Sequence, residues 1–338
     1  MLVSYIRSSS YNNYDYCQQQ YFLNYNLGHP TTSGKKAQMG TIVHKVMESL
    51  ARCKLKLQQH PKGRTLSVND DALGKITFSP KKLYSDEFVN KLVDDSFNHY
   101  SSSDTHTYSD RDYKDCNKWS WMALDYNEGQ FDPRNRKIVA PEPHFDIEIK
   151  EPWASYNYTL PDGTEMKGNL AIKGTIDLVT EVSDGVIEVV DWKTGKRINW
   201  ATGEEKTYEK LQTDPQLLLY YYAISSLFPD YDQTIMTIFY IKDGGPFSLC
   251  FEKSDRDLFL DMLRTRFYQI KNNKNPKLIS QNQSHWKCTK LCDFAKNNWP
   301  GTDKTMCQYV HEIVQKDGID EAIKQCTKED FSLGYYSA

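Results

Sequence analysis

Residues 174–193 read GTIDLVTEVSDGVIEVVDWK. Ile176, Leu178 and Val179 form one apolar run and Val186 to Val190 another, with Ser183, Asp184 and Gly185 between them. Turn residues flanked by apolar runs predict two short strands in a hairpin, which brings Asp177 close to Asp191. Strand alternation then sends Asp191 and Lys193 to one face and Trp192 to the other. Two carboxylates bind a hard divalent cation such as Mg²⁺ through oxygen, and a neighbouring lysine can position a hydroxide or offset charge building on a phosphate. This is equipment for phosphodiester hydrolysis. Three solvated side chains on a strand would look the same in isolation, so the surrounding sequence has to decide.

The surroundings supply an ordered set of motifs. Gly174-Thr-Ile-Asp177, followed by a hydrophobic strand ending in Asp191-Trp192-Lys193-Thr194-Gly195, resembles the core of the PD-(D/E)XK nucleases. The resemblance is to their RecB-like branch, including the CRISPR-associated iron-sulfur exonucleases. Upstream, Ile42, Val43, Val46, Met47 and Leu50 recur at helical spacing, with Thr41 as the expected N-cap. His44 borders that stripe, where a lone histidine ordinarily packs. Gly40, His44 and Glu48 match the branch's Gly-x-x-x-His-x-x-x-Glu spacing, and the resemblance implies that His44 is a metal ligand. Downstream, EKLQTDPQLLLYYYAISSLF reads as an amphipathic helix with Pro215 in its first turn and Gln216 and Tyr220 on one face. It is similar to the branch's Gln-x-x-x-Tyr motif, which implies that Gln216 orients the lysine or touches DNA, with Tyr220 close by.

Taken together, the resemblance implies an α/β fold with a PD-(D/E)XK (restriction-endonuclease-like) core, a mixed central sheet flanked by helices. It implies that Asp177 and Asp191, with His44 and the Trp192 carbonyl, hold Mg²⁺ or Mn²⁺. Lys193 would orient or deprotonate the attacking water. The implied activity is metal-dependent hydrolysis of DNA at ends or on single strands, in recombination, repair or replication. A helicase or recombination protein is the expected partner. A non-catalytic DNA-end clamp and an RNA nuclease are the alternatives; clustered acids that repel phosphate speak against a pure clamp.

Eight cysteines are scattered over a chain too large to need disulfide staples. Cys288-x₃-Cys292 with Cys307 puts three thiolates within reach of one site, and such soft ligands hold zinc or iron-sulfur clusters. Cys17 alone would read as a buried free thiol in an aromatic helix running from Ser8–Ser10 past Tyr25. The Ser-rich start, Tyr and Cys are also similar to the opening of the iron-sulfur members of the branch. That similarity implies Cys17 as the fourth ligand of a [4Fe-4S] cluster joining the two ends of the domain. Zn²⁺ is the second reading and unligated thiols the third, with Cys326 and His285 as substitute ligands. The branch's usual tail, Cys-x₂-Cys-x₅-Cys, is stretched here.

Composition limits the rest. The net charge of −3 leaves no global basic field, so nucleic acid must be met by a local groove. No charged-then-apolar leader and no bilayer-length apolar run occur, which predicts a protein that is soluble and cytoplasmic, in the host's cytoplasm if viral, with no membrane partner. TSGKKA around Gly34 only partly echoes a phosphate-binding loop, so ATP hydrolysis is not expected. One nuclease domain is read over 1–338: N-terminal helices 1–51, a helical insertion 52–140, the catalytic core 141–275 and a cysteine tail 276–338. In the insertion, SDEFVNKLVDDSF and NKWSWMALDY read as helices around a polar loop, with Trp119, Trp121 and Met122 as core. HFDIEIKEPW alternates as a strand whose Glu148 could approach the metal, and DGTEMKG marks a turn before LAIKGTIDLV. The TGKR segment after Lys193 is a candidate phosphate contact.

Overall fold

The computed structural model describes residues 1–161, 163–199, 202–329 and 331. The chain opens with strand β1 (Tyr5–Ile6) and helix α1 (Ser8–Tyr16), whose first turn is closed by Ser10 Oγ accepting from the Arg7 N–H at 2.8 Å. Cys17 then takes an extended conformation (φ −164°, ψ 114°) that separates α1 from α2 (Gln18–Tyr21) and the π-helical turn Phe22–Asn26. The single helix expected around Cys17 is therefore broken, and Cys17 stands at the joint. Helix α3 (Lys35–Gln59) starts after Gly34, about two turns before the expected cap Thr41, which lies inside it and donates to the Ala37 carbonyl.

Hairpin β2 (Leu66–Asp70) and β3 (Gly74–Phe78) comes next. It is followed by α4 (Pro80–Leu83), α5 (Asp86–Ser103) and α6 (Asp110–Leu124), N-capped by Ser79, Ser85 and Ser109. The expected polar loop shrinks to residues 104–109, and the hairpin is a feature that the helical reading of this segment did not contain. Strands β4 (Lys137–Pro141), β5 (His144–Glu148), β6 (Ser155–Thr159), β7 (Glu165–Asn169), β8 (Ala171–Thr175), β9 (Leu178–Ser183) and β10 (Val186–Lys193) follow. Then come α7 (Tyr208–Leu211), α8 (Pro215–Leu227), β11 (Gln233–Tyr240), β12 (Gly245–Phe251) and α9 (Lys253–Lys271). Helices α10 (Trp286–Leu291), α11 (Met306–Asp317) and α12 (Ile319–Cys326) complete the described chain.

The main sheet is mixed, in the order β12-β11-β10-β9-β4. β9 and β10 form the expected antiparallel hairpin, with Gly185 at φ 71° in its turn. β10 and β11 are parallel, and such a pair needs a crossover, which here carries α8. The sheet is buried on both faces by alternation. Ile187, Val189, Met236 and Ile238 join a core with α8, α9 and the C-terminal helices. Val190, Trp192, Phe239 and Ile241 join a second core with α3, α5 and α6.

A second sheet, β1-β8-β5, stands beside the first. In it Gly174 lies opposite Phe145, and a Cβ on Gly174 would sit 2.6 Å from the phenyl ring, so the motif glycine makes room for that ring. Glu148 lies on this second sheet and accepts from Asn169. That corrects its expected approach to the metal. β6 and β7 pair around the expected turn, of which Asp162 lies outside the described residues.

Trp192 is 1 % exposed and anchors β10 in the second core. Truncating a buried indole forfeits its transfer energy and leaves a void, so Trp192→Ala should cost about 3–5 kcal/mol in urea unfolding. Leu258→Ala, at a side chain 39 % exposed, should stay within about 0.5 kcal/mol.

Candidate active site and cysteine cavity

At the end of β10 the two faces of the sheet divide the labour. Trp192 goes into the core, while Asp191 and Lys193 turn towards α8. Lys193 Nζ lies 2.9 Å from Asp191 Oδ1 and 2.6 Å from Oδ2. Gln216, in the first turn of α8, donates from Nε2 to Asp191 Oδ1 at 3.2 Å and to the Tyr220 hydroxyl at 3.0 Å. Asp177 immediately precedes β9 and accepts the Trp192 N–H on Oδ2 at 2.9 Å. Its Oδ1 is 3.4 Å from His44 Nδ1. The N–H and C=O of a strand residue point to the same edge, so the Trp192 carbonyl shares the edge that Asp177 occupies.

The local sequence builds this geometry. A Cβ on Gly40 would stand 2.7 Å from Thr194 Oγ1, so the glycine lets α3 close on the loop after Lys193, and His44 follows one turn later. Asp214 caps α8, accepting the Gln216 N–H at 2.9 Å, and is held in turn by Lys206. The cap fixes the turn that aims Gln216 at Asp191.

Charge is tightly matched. Burial favours a neutral Asp177, but His44, Lys193 and the Trp192 N–H outweigh it and hold the carboxyl below its usual range. Burial also favours a neutral His44, and Asp177 reverses this, raising the imidazole. For Asp191, burial outweighs Lys193, and with Asp177 also near, its carboxyl is raised. Burial opposes the Lys193 ammonium as well, yet Asp191, Tyr220 and Asp177 raise it. Lys193 is thus a charged donor here.

Among the described residues no three His, Cys, Asp or Glu side chains already stand closed around an ion position. In the catalytic group the internal cations explain this, since Lys193 pairs with Asp191 and His44 with Asp177. Asp191 Oδ2 is nonetheless buried and, despite the nearby ammonium, lacks a properly oriented hydrogen bond. A buried carboxylate oxygen with spare lone pairs fits a hard cation.

The cysteines separate into two groups. Cys17, Cys288, Cys292 and Cys307 all line one cavity, together with Tyr16, Gln20, Leu23 and Phe294. Burial pushes the Cys292 thiol up to about 11 and raises Cys288 and Cys307 too. Cysteine is the ligand type that zinc and iron-sulfur clusters take, but among the described residues these four do not already stand closed around an ion position either. The proposed substitutes do not join them: Cys326 is packed in the core and His285 caps α10. Cys53 and Cys116 are buried in the α3–α6 core, and Cys250 is exposed.

One other expectation changes. Arg197 of the TGKR segment holds its own loop together, through Glu205, the Lys206 carbonyl and the Phe247 ring; only Lys196 is left exposed as a phosphate contact. Glu48 points away from the metal group into a buried charge cluster with Lys45 and Arg52. Glu142, which sequence reading missed, joins this cluster 3.6 Å from Arg52. At φ 47° its N–H donates to the Asp177 carbonyl at 3.1 Å, and burial with Glu48 nearby pushes its carboxyl up to about 7. The available signal was the Pro141-Glu142-Pro143 run, since prolines cannot donate to a strand ladder and mark its end.

No helix among the described residues is long and apolar enough to cross a membrane. A family model described as the PD-(D/E)XK nuclease superfamily matches residues 8–296. That span contains His44, Asp177, Asp191, Lys193, Gln216 and Tyr220. No curated protein matches the chain.

The Gly40–Thr194 contact yields a test with a change of sign. Gly40→Ala should lower the melting temperature by overpacking, at a cost of about 1–3 kcal/mol. In a Thr194→Ala background the same change should stabilise by up to about 1 kcal/mol through helix propensity. A double-mutant cycle by thermal melting reads the coupling.

Proposed function

Because the chain belongs to the PD-(D/E)XK nuclease superfamily, we propose that it is a metal-dependent deoxyribonuclease acting on DNA ends or single strands. The observation that carries this reading is the convergence of Asp177, Asp191, Lys193 and His44, from three separate segments, at the end of β10. A protein that only clamped DNA would gain nothing from two acids that repel phosphate.

Asp177, Asp191, His44 and the Trp192 carbonyl would hold Mg²⁺ or Mn²⁺. Such an ion, when bound, supplies Lewis acidity and a water of lowered pKa. Gln216 holds Asp191 from the α8 side, and Tyr220 holds Gln216, so the carboxylate keeps its aim. Lys193, charged between two acids, donates to the attacking water or to a phosphate oxygen and offsets the charge that builds there. The Trp192 N–H fixes Asp177. Cys17, Cys288, Cys292 and Cys307 would hold a structural [4Fe-4S] cluster, with Zn²⁺ as the second reading. The four sulfurs lining one cavity support this.

End-labelled single-stranded and duplex DNA, linear and circular, and RNA of the same sequence, incubated with Mg²⁺ or Mn²⁺, test the activity through product length over time. Asp177→Ala, Asp191→Ala and Lys193→Ala should each abolish cleavage, and removing an acid should leave binding intact or tighter. Retained cleavage by the Asp191→Ala protein would sink the assignment. His44→Ala should lose most activity at low metal and regain part of it with added Mn²⁺, which accepts imidazole more readily than Mg²⁺; losing its fold instead would point to packing.

For the cysteines, protein purified without oxygen should be brown. Cys17→Ser or Cys307→Ser should bleach it and lower its melting temperature, whereas Cys250→Ser should do neither. Colourless protein with one zinc would support the second reading.

A further inference from the structure

The catalytic group is acidic and the chain carries a net charge of −3, so attraction for a polyanion must come from elsewhere on the molecule. Helix α6 supplies it. Arg111, Lys114 and Lys118 recur at three- and four-residue spacing and are all exposed, while Cys116, Ser120 and Ala123 on the opposite side are buried. Among the described residues none ion-pairs with Arg111, Lys114 or Lys118.

Two further cations extend the stripe at its edge. Lys36 lies 5.4 Å and Lys242 3.5 Å from the centre of the Trp119 ring, and both are exposed. The one carboxylate near this pair is Asp115, 3.7 Å from Lys36. Burial and then Lys36 lower the Lys242 ammonium, as expected where like charges crowd with too few counter-ions. Asp110, Asp115 and, at the C-cap, Asp125 are the acids on the exposed turns of α6, so five cations face three carboxylates.

Two contacts tie the segments that carry these cations to the segments that carry the catalytic group. The Cys116 thiol meets the Met39 carbonyl at 3.8 Å, seating α6 on α3 next to Gly40. The Ile241 N–H donates to the Lys193 carbonyl at 3.0 Å, and Lys242 is the next residue. Lys36 is two turns before His44, about 12 Å along α3, a span of a few phosphates at ~3.4 Å of axial rise per nucleotide. We infer that the exposed face of α6, with Lys36 and Lys242, docks the sugar–phosphate backbone of the nucleic acid leading to Asp177 and Asp191. This rests on the nuclease reading above. It gives part of the 52–140 segment a task, sequence-independent grip, with Trp119 as the packed base under two of the cations.

The test compares the unaltered protein with two full-length triple variants carrying the same change of charge: Arg111→Gln/Lys114→Gln/Lys118→Gln, and Lys316→Gln/Lys324→Gln/Lys328→Gln on and just after the C-terminal helices α11 and α12. Fluorescence anisotropy with a short labelled oligonucleotide, single-stranded and duplex, is followed without divalent metal from about 50 to about 200 mM salt. Circular dichroism melts check that all three fold alike. The α6 variant should bind at least ~10-fold more weakly, and the slope of log affinity against log salt on duplex should shrink by about 2–3, at roughly 0.9 per phosphate contact. A Lys36→Gln/Lys242→Gln protein should lose part of the same slope, and the C-terminal variant should match the unaltered protein. An α6 variant that keeps both affinity and slope, while the unaltered protein still cuts end-labelled DNA, overturns the inference alone. An unaltered protein that neither binds nor cuts overturns both readings. An α6 variant that loses only its adsorption to polyglutamate would overturn the inference in favour of an acidic protein partner.

Discussion

The parity of β10 is the constraint on which the rest depends. Its odd-numbered residues from Ile187 to Lys193 face α8, and its even-numbered apolar residues, Val190 and Trp192, face α3 and α6. A one-residue slip would exchange the two sets, putting the acid and lysine into a core and the indole into the reactive cleft. Burial of Trp192 therefore does more than stabilise the sheet. It fixes the register that delivers Asp191, and the Trp192 N–H fixes Asp177 in the same stroke.

The site also shows how carboxylates are kept apart from one another's uses. Asp177 and Asp191 are paired with His44 and Lys193. Behind them Glu48 and Glu142 form a separate cluster with Lys45 and Arg52. Glu142 touches the site only through its backbone N–H on the Asp177 carbonyl. The two pairs of acids are thus held by separate sets of cations, one at the end of β10 and one at the start of β5.

Much of this was legible in the chain because it is written at short range. Period-two alternation with a Ser-Asp-Gly turn predicts the β9–β10 hairpin, and the four-residue spacing of Gln216 and Tyr220 predicts their shared face, where they do meet. Gly40 and Gly174 were readable as motif members, but their physical reason, room for Thr194 and for Phe145, appears only in three dimensions. What stayed hidden depends on distant partners or weak patterns. LSVND and GKITF carry too few apolar residues to announce β2 and β3. Lys35 to Gln38 are good helix formers but carry no apolar stripe, so a reading by periodicity starts α3 too late, near Thr41. Glu142 meets partners far upstream, and the extended backbone at Cys17 interrupts an aromatic spacing that runs on without a break in the sequence.

That joint at Cys17 has a consequence for synthesis. Its cavity is completed by Cys288, Cys292 and Cys307, so the first thiol leaves the ribosome 290 residues before the last (307 − 17). At about 5–20 residues per second the wait is roughly 15–60 s. Throughout that interval the N-terminal segment lacks the wall against which it packs, and its thiol is open to oxidants and to stray metals. Slow translation or an oxidising cell would therefore injure this protein before it is finished.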